Sequence, residues 1–135
     1  MKFAMVVGDK QYFPSWSNVI ELLISNGYCA LYDPFLPFNF YKFEVSEANR
    51  ARLQEMVNKA EFIYVYNPSF IKGSLTSFLI VYAHQVGKLV LFSHCPTVRN
   101  AGTYRVYLDQ QRRYTQITAS LPWLQFYREP LEISS

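Results

Sequence analysis

Cysteine is scarce in this sequence: Cys29 and Cys95 are the two it has, far apart and without a Cys-x-x-Cys spacing. That spacing excludes a disulfide framework and a zinc knuckle, and leaves both as ordinary thiols. Histidine is as rare, and His84 and His94 lack the spacing of a metal pair, so no metal site is expected. No GxGxxG, Walker A loop, GxSxG elbow or HExxH occurs, which disfavours dinucleotide and triphosphate chemistry by those routes; no cofactor is called for. Long hydrophobic runs are missing too. The first one, Phe3 to Val7, ends at Gly8-Asp9, far short of a signal-peptide core or a membrane span, so a cytoplasmic location away from membranes is expected.

Charge is sparse at 17% of residues, and the formal net charge of +3 is dispersed, so a nucleic-acid partner is not expected. The exception is Arg105, Arg112 and Arg113. If 104–118 is one helix, Arg105 and Arg112 share a face while Tyr104, Tyr107 and Leu108 share another. A solvated basic face is the simpler reading, ahead of a phosphate-binding one.

Apolar and aromatic residues are abundant, at 50% hydrophobic and 18% aromatic, the reverse of a disordered chain. A length of 135 residues suits one compact domain over 1–135. The 11 Tyr, 11 Phe and 2 Trp exceed what so small a core hides easily, so some rings are expected to line a pocket or a subunit interface, and a homo-oligomer is expected.

The run Phe3 to Val7 reads as a strand buried on both faces. After a loop with Pro14, Ser15 or Ser17 can cap a helix carrying Val19, Ile20 and Leu23, closed by Asn26-Gly27. Tyr28 to Tyr32 is the second strand, stopped by Asp33-Pro34. The stretch from Phe35 to Phe43, with four Phe and Tyr41, has no period and reads as an aromatic loop, packing as a lid on the core before gripping any substrate. Ser46 then caps an amphipathic helix with Leu53, Met56, Val57 and Ala60 inward and Arg50, Arg52, Glu55 and Lys59 outward.

Phe62 to Tyr66 is the third strand, stopped by Asn67-Pro68. Ser74 can cap a helix from Leu75 to Val86 that is apolar almost all round and must be covered on more than one side, by the domain itself or by a second subunit. Lys88 to Phe92 reads as a fourth strand, after Gly87 ends the helix. A helix over 104–117 and a strand from Trp123 to Tyr127 are expected to follow. Alternating strands and helices imply a parallel sheet with right-handed crossovers, and ligands in such sheets bind beyond the carboxyl ends of the strands. Those ends carry Gly8-Asp9, Asp33, Asn67 and Ser93-His94.

Asp9 and Asp33 could form the carboxylate pair that glycosyl transfer or hydrolysis requires, with Glu44 from the aromatic loop as a third candidate. Alternatively each Asp simply ends its strand and caps a turn. His94 follows the fourth strand and neighbours Cys95, yet nothing marks a third partner for a nucleophilic dyad.

The stretch Lys59-Ala60-Glu61-Phe62-Ile63-Tyr64-Val65-Tyr66-Asn67-Pro68, followed by Gly73-Ser74-Leu75-Thr76, Tyr82-Ala83 and Gly87-Lys88, resembles the nucleoside 2-deoxyribosyltransferase-like superfamily. There an acidic residue precedes the third strand, a Gly-x-x-Thr-like turn opens a helix, and an Ala and a Gly-Lys follow. The resemblance covers residues 1–92 in element order and Lys59 to Lys88 in motif. It implies a Rossmann-like parallel sheet flanked by helices, a homodimer with sites near subunit contacts, and N-glycosidic cleavage of deoxynucleosides or their monophosphates by a helical glutamate nucleophile. Counted from Gly73 and Thr76, that glutamate falls on Leu79, which can be neither nucleophile, acid nor base. No carboxylate lies between Glu61 and Asp109 to replace it locally.

Three readings follow. In the first, the chain is a degenerate member, a pseudoenzyme that binds a nucleoside or nucleotide through Gly8, Asp9, Asn67, Gly73, Ser74 and Thr76, the Gly73–Thr76 turn offering backbone N–H groups to an anion. In the second, it is an active hydrolase or transferase with its carboxylate relocated to Asp9, Asp33 or Glu44. In the third, the pocket has closed and the chain is a non-catalytic interaction module. If Leu79 holds the family's catalytic position, its side chain is expected in the cleft at the strand ends, near Asp9 and Asn67.

Overall fold

The computed structural model describes residues 1–33, 47–68, 74–96 and 101–128. Its strands are β1 (Lys2–Gly8), β2 (Tyr28–Tyr32), β3 (Phe62–Tyr66) and β4 (Leu89–Phe92), and its helices are α1 (Phe13–Ser25), α2 (Glu47–Lys59), α3 (Ser74–Gln85), α4 (Ala101–Asp109) and α5 (Gln111–Ser120). The four strands form one parallel sheet in the order β2-β1-β3-β4. Strands that must be buried on both faces need near-continuous apolar runs, and β1, β3 and β4 have them, with Met5, Val65 and Leu91 at most 1% exposed.

Strand order fixes where the helices lie. Passing from β1 to β2 runs one way across the sheet, while β2 to β3 and β3 to β4 run the other way. Right-handed crossovers therefore put α1 on one face and α2 and α3 on the opposite one. Side chains agree with the first placement. Gly8 pairs with Tyr66 in register, so the two share a face, and α1 lays Trp16 against Gly8. On the other face α3 packs between α2 and α4 and against β4. Its Leu79, Ile80 and Ala83 are buried and Phe78, Val81 and Tyr82 half-buried, so neighbouring helices of the same chain supply cover on several sides.

Several expectations need correction. Helix α1 starts at Phe13, with Tyr12 before it and no side-chain cap from Ser15 or Ser17; Pro14 sits inside its first turn. A single 3-10 turn, Lys10–Tyr12, feeds straight into the helix, and proline is well tolerated there because its missing N–H would lack a helical partner anyway. The helix expected over 104–117 is two helices broken at Gln110. Arg105 and Arg112 thus belong to different helices, and their shared face is lost. Tyr107 is fully buried while Leu108 is 43% exposed, so these two do not share a face either.

Trp123 to Tyr127 is not a strand, although Tyr127 N–H donates one bond to the Phe92 carbonyl at 2.6 Å. β4 is an edge strand, and an edge left open exposes unpaired backbone groups. Here side chains close it: Gln110 Oε1 accepts the Val90 N–H at 2.7 Å and the Tyr114 hydroxyl donates to the Val90 carbonyl at 2.7 Å. Gln110 and Tyr114 stand four residues apart, on one face of a helical turn, and with Val90 satisfied by both no further strand is needed. The aromatic loop at 35–43 and the Ser46 cap lie outside the described residues.

Candidate functional site

The chain leaves β1 and β3, neighbours in the sheet, toward opposite faces, into α1 and α3, and between such strands an open α/β sheet forms its ligand crevice. Register places Asp9 and Asn67 as the next residues beyond the paired Gly8 and Tyr66. The structure thus brings together Gly8, Asp9 and Asn67. The Asp9 carbonyl accepts the Trp16 indole N–H at 2.8 Å and the Tyr12 N–H at 2.9 Å, and its Oδ1 accepts the Gln11 N–H at 3.2 Å, so Asp9 shapes the turn into α1.

Asn67 is buried, and its amide is committed to the end of β4. Nδ2 donates to the His94 carbonyl at 2.9 Å, while Oδ1 accepts the His94 N–H at 3.0 Å and lies 3.2 Å from Ser93 Oγ. Its backbone N–H also donates to Ser93 Oγ at 2.9 Å. Thr76 is fully buried near the start of α3, and Ser74 is the first residue of that helix. Asp33 ends β2 and forms an ion pair with Arg52 of α2 at 2.9 Å, which gives its carboxylate a structural role. Glu44 and Gly73 lie outside the described residues. Glu61 stands at the opposite, amino end of β3, where its carboxylate accepts the Tyr28 hydroxyl at 3.4 Å.

No family model matches the chain, and no curated protein does. Among solved structures, a 2-deoxyribosyltransferase from Leishmania mexicana is similar, with a TM-score of 0.50 over 72% of this chain and 67% of that one, at 19% identity. The fold is nucleoside 2-deoxyribosyltransferase-like. That likeness is one of architecture, a parallel sheet flanked by helices, and residue roles have to be read from the side chains themselves.

Leu79 is 1% exposed and belongs to the hydrophobic core. Its side chain does not open into a strand-end cleft, which overturns the expectation that it holds the family's catalytic position. Nor does any group of three or more His, Cys, Asp or Glu capable of holding a metal occur among the described residues.

A cleft of about 640 Å³ lies on the α1 face at the ends of β3 and β4. Tyr66, Ser93 and His94 form its strand side, and Phe126, Tyr127 and Arg128 of the last described segment face them. Beneath it Tyr64 donates its hydroxyl to the Gln125 carbonyl at 2.9 Å, and burial pushes that phenol up from 10.0 to about 12, with the neighbouring Tyr66 adding to the effect. Of these residues, sequence reasoning singled out Ser93 and His94 as a strand end and missed the rest. The one signal for them was the aromatic excess, which called for rings in a pocket without saying which.

Proposed function

We propose that this chain binds a nucleoside- or nucleotide-type ligand at the carboxyl ends of its strands and lacks the glycosidic chemistry named for its structural neighbour. The observation that carries this reading is the crevice between β1 and β3, where the sheet's connections reverse direction and Gly8, Asp9 and Asn67 lie side by side; the burial of Leu79 counts against a catalytic position at that residue. A carboxylate there would lose its hydration inside an apolar core, which is costly. The ligand would sit in the crevice flanked by Gly8, Asp9 and Asn67, with the amino end of α3, which begins at Ser74, offered to a negatively charged group. The Asp33–Arg52 ion pair counts against a relocated nucleophile at Asp33. Residues 1–135 would act as one domain, as a cytoplasmic homodimer.

Thermal unfolding against nucleosides, deoxynucleosides and their 5'-monophosphates tests this, since a ligand that binds only the folded chain raises the midpoint by mass action. A saturable rise with one compound class and no release of free base is the expected result. Base release would establish catalysis and overturn the pseudoenzyme reading. No rise with any of them at millimolar concentration would leave the interaction-module reading in its place.

A further inference from the structure

The cleft on the α1 face is lined by none of the residues assigned above to the β1–β3 crevice, and its volume of about 640 Å³ is of small-molecule size. Its most unusual member is His94. The ring is exposed, yet it is pinned: Nδ1 lies 2.7 Å from Ser93 Oγ, and the ring packs edge-on against Tyr66 at 6.0 Å between centroids. Its backbone N–H and carbonyl are both held by the Asn67 amide. Ordering a surface side chain costs conformational entropy that solvation alone does not return.

The bonding also directs the ring's other nitrogen. Ser93 Oγ accepts the Asn67 N–H, donates to Asn67 Oδ1 at 3.2 Å and is bonded to His94 Nδ1 at 2.7 Å. With Nδ1 engaged, Nε2 is the nitrogen left for a ligand, and it donates to an anion in the Nε2–H tautomer and in the imidazolium. Nε2 has no partner among the described residues. Arg128 is positioned in a similar way: one guanidinium nitrogen donates to Thr118 Oγ1 at 2.9 Å, and Thr118 in turn donates to the Tyr114 carbonyl at 2.7 Å. No carboxylate among the described residues lines the cleft, while Tyr66, Phe126 and Tyr127 supply aromatic surface.

We infer that this cleft binds a small organic oxyanion, a carboxylate or phosphate carried on a flat ring, with His94 Nε2–H and the Arg128 guanidinium on the charged end and the aromatic side chains around the ring. A pre-held donor and a forked guanidinium suit an oxyanion, and ring faces and edges suit a planar body. This site uses other residues than the crevice and stands or falls separately from it.

The test is titration calorimetry of the whole chain with phenyl phosphate and benzoate, against phenol as a ring without charge and inorganic phosphate as a charge without a ring. At least one ring-bearing oxyanion is expected to bind saturably, and both single-feature probes to bind at least about tenfold more weakly, the worth of one charge-assisted hydrogen bond. Which of the two binds more tightly identifies the oxyanion. Arg128→Gln and His94→Ala are each expected to weaken binding about tenfold or more by the same measure, with Arg105→Gln, whose guanidinium pairs with Asp109 instead, leaving it unchanged. Arg128→Lys keeps the charge and loses the fork, and guards against a variant that fails to fold. Absence of binding by both ring-bearing probes, or unchanged affinity in folded Arg128 and His94 variants, overturns the assignment.

Discussion

A Cβ placed on Gly8 would lie 2.7 to 2.9 Å from three atoms of the Trp16 indole, and Trp16 is fully buried with its N–H bonded to the Asp9 carbonyl. The indole has no room to retreat. Gly8→Ala is therefore expected to destabilise the fold by about 1–3 kcal/mol, the usual cost of overpacking, read as a lower denaturant midpoint at unchanged slope. Gly8 and Asn67 look alike in the sequence, as small or polar residues at strand ends where ligands bind. In the structure each also serves packing, since Gly8 admits Trp16 and Asn67 ties β3 to β4. Position at a strand end was legible, but the demand made on the side chain came from partners as much as 27 residues away.

At the level of elements, the edge of β4 decides the shape of the last third of the described chain. Gln110 is 1% exposed, and besides the Val90 N–H it faces His84 Nδ1 at 3.2 Å through Nε2. Removing that amide strands a buried backbone donor. Gln110→Ala should cost about 1–3 kcal/mol, the penalty for an unsatisfied buried polar group. Hydrogen exchange should show the Val90 amide losing protection more than those of β1, and equal protection in both strands would refute the edge-closing role. The helical period from Tyr104 to Ile117 gave no sign that Gln110 makes this bond, because periodicity registers which residues face a core and not which backbone groups elsewhere lack partners.

For the whole molecule, the α1 face is fastened to the last described segment through buried phenols, and this gives stability an alkaline limit. Tyr64 is held protonated by burial, its folded value moved from 10.0 up to about 12. Burial likewise moves Tyr114 upward, with the neighbouring Tyr107 contributing. A group whose pKa is raised on folding contributes fully below its unfolded value and loses that contribution as pH climbs through the folded one. Stability should thus hold up to about pH 10 and fall between pH 10 and 12. Denaturant midpoints measured across that window should drop less steeply in Tyr64→Phe, which has no proton to lose. An identical drop in the variant would remove Tyr64 as a cause.

The sequence by itself determined the local elements and their order. Tyr28–Tyr32 and Phe62–Tyr66 are strands with the bounds their apolar runs predict, and Leu53 and Val57 line the buried side of α2 as their spacing requires, with Ala60 buried just past its end. These features depend on neighbours a few residues apart, so a linear pattern carries them, and the βαβ alternation carries the parallel sheet. Tertiary structure decided the rest: that α3 is covered within the chain, that Leu79 enters the core, that the helix breaks at Gln110, and that Tyr66, His94 and Arg128 meet around one cleft. Each of these depends on groups brought together from distant parts of the chain by the crossovers. Their physical cause, whether a backbone bond left open at an edge or a ring needing a surface, exists only once the sheet has formed.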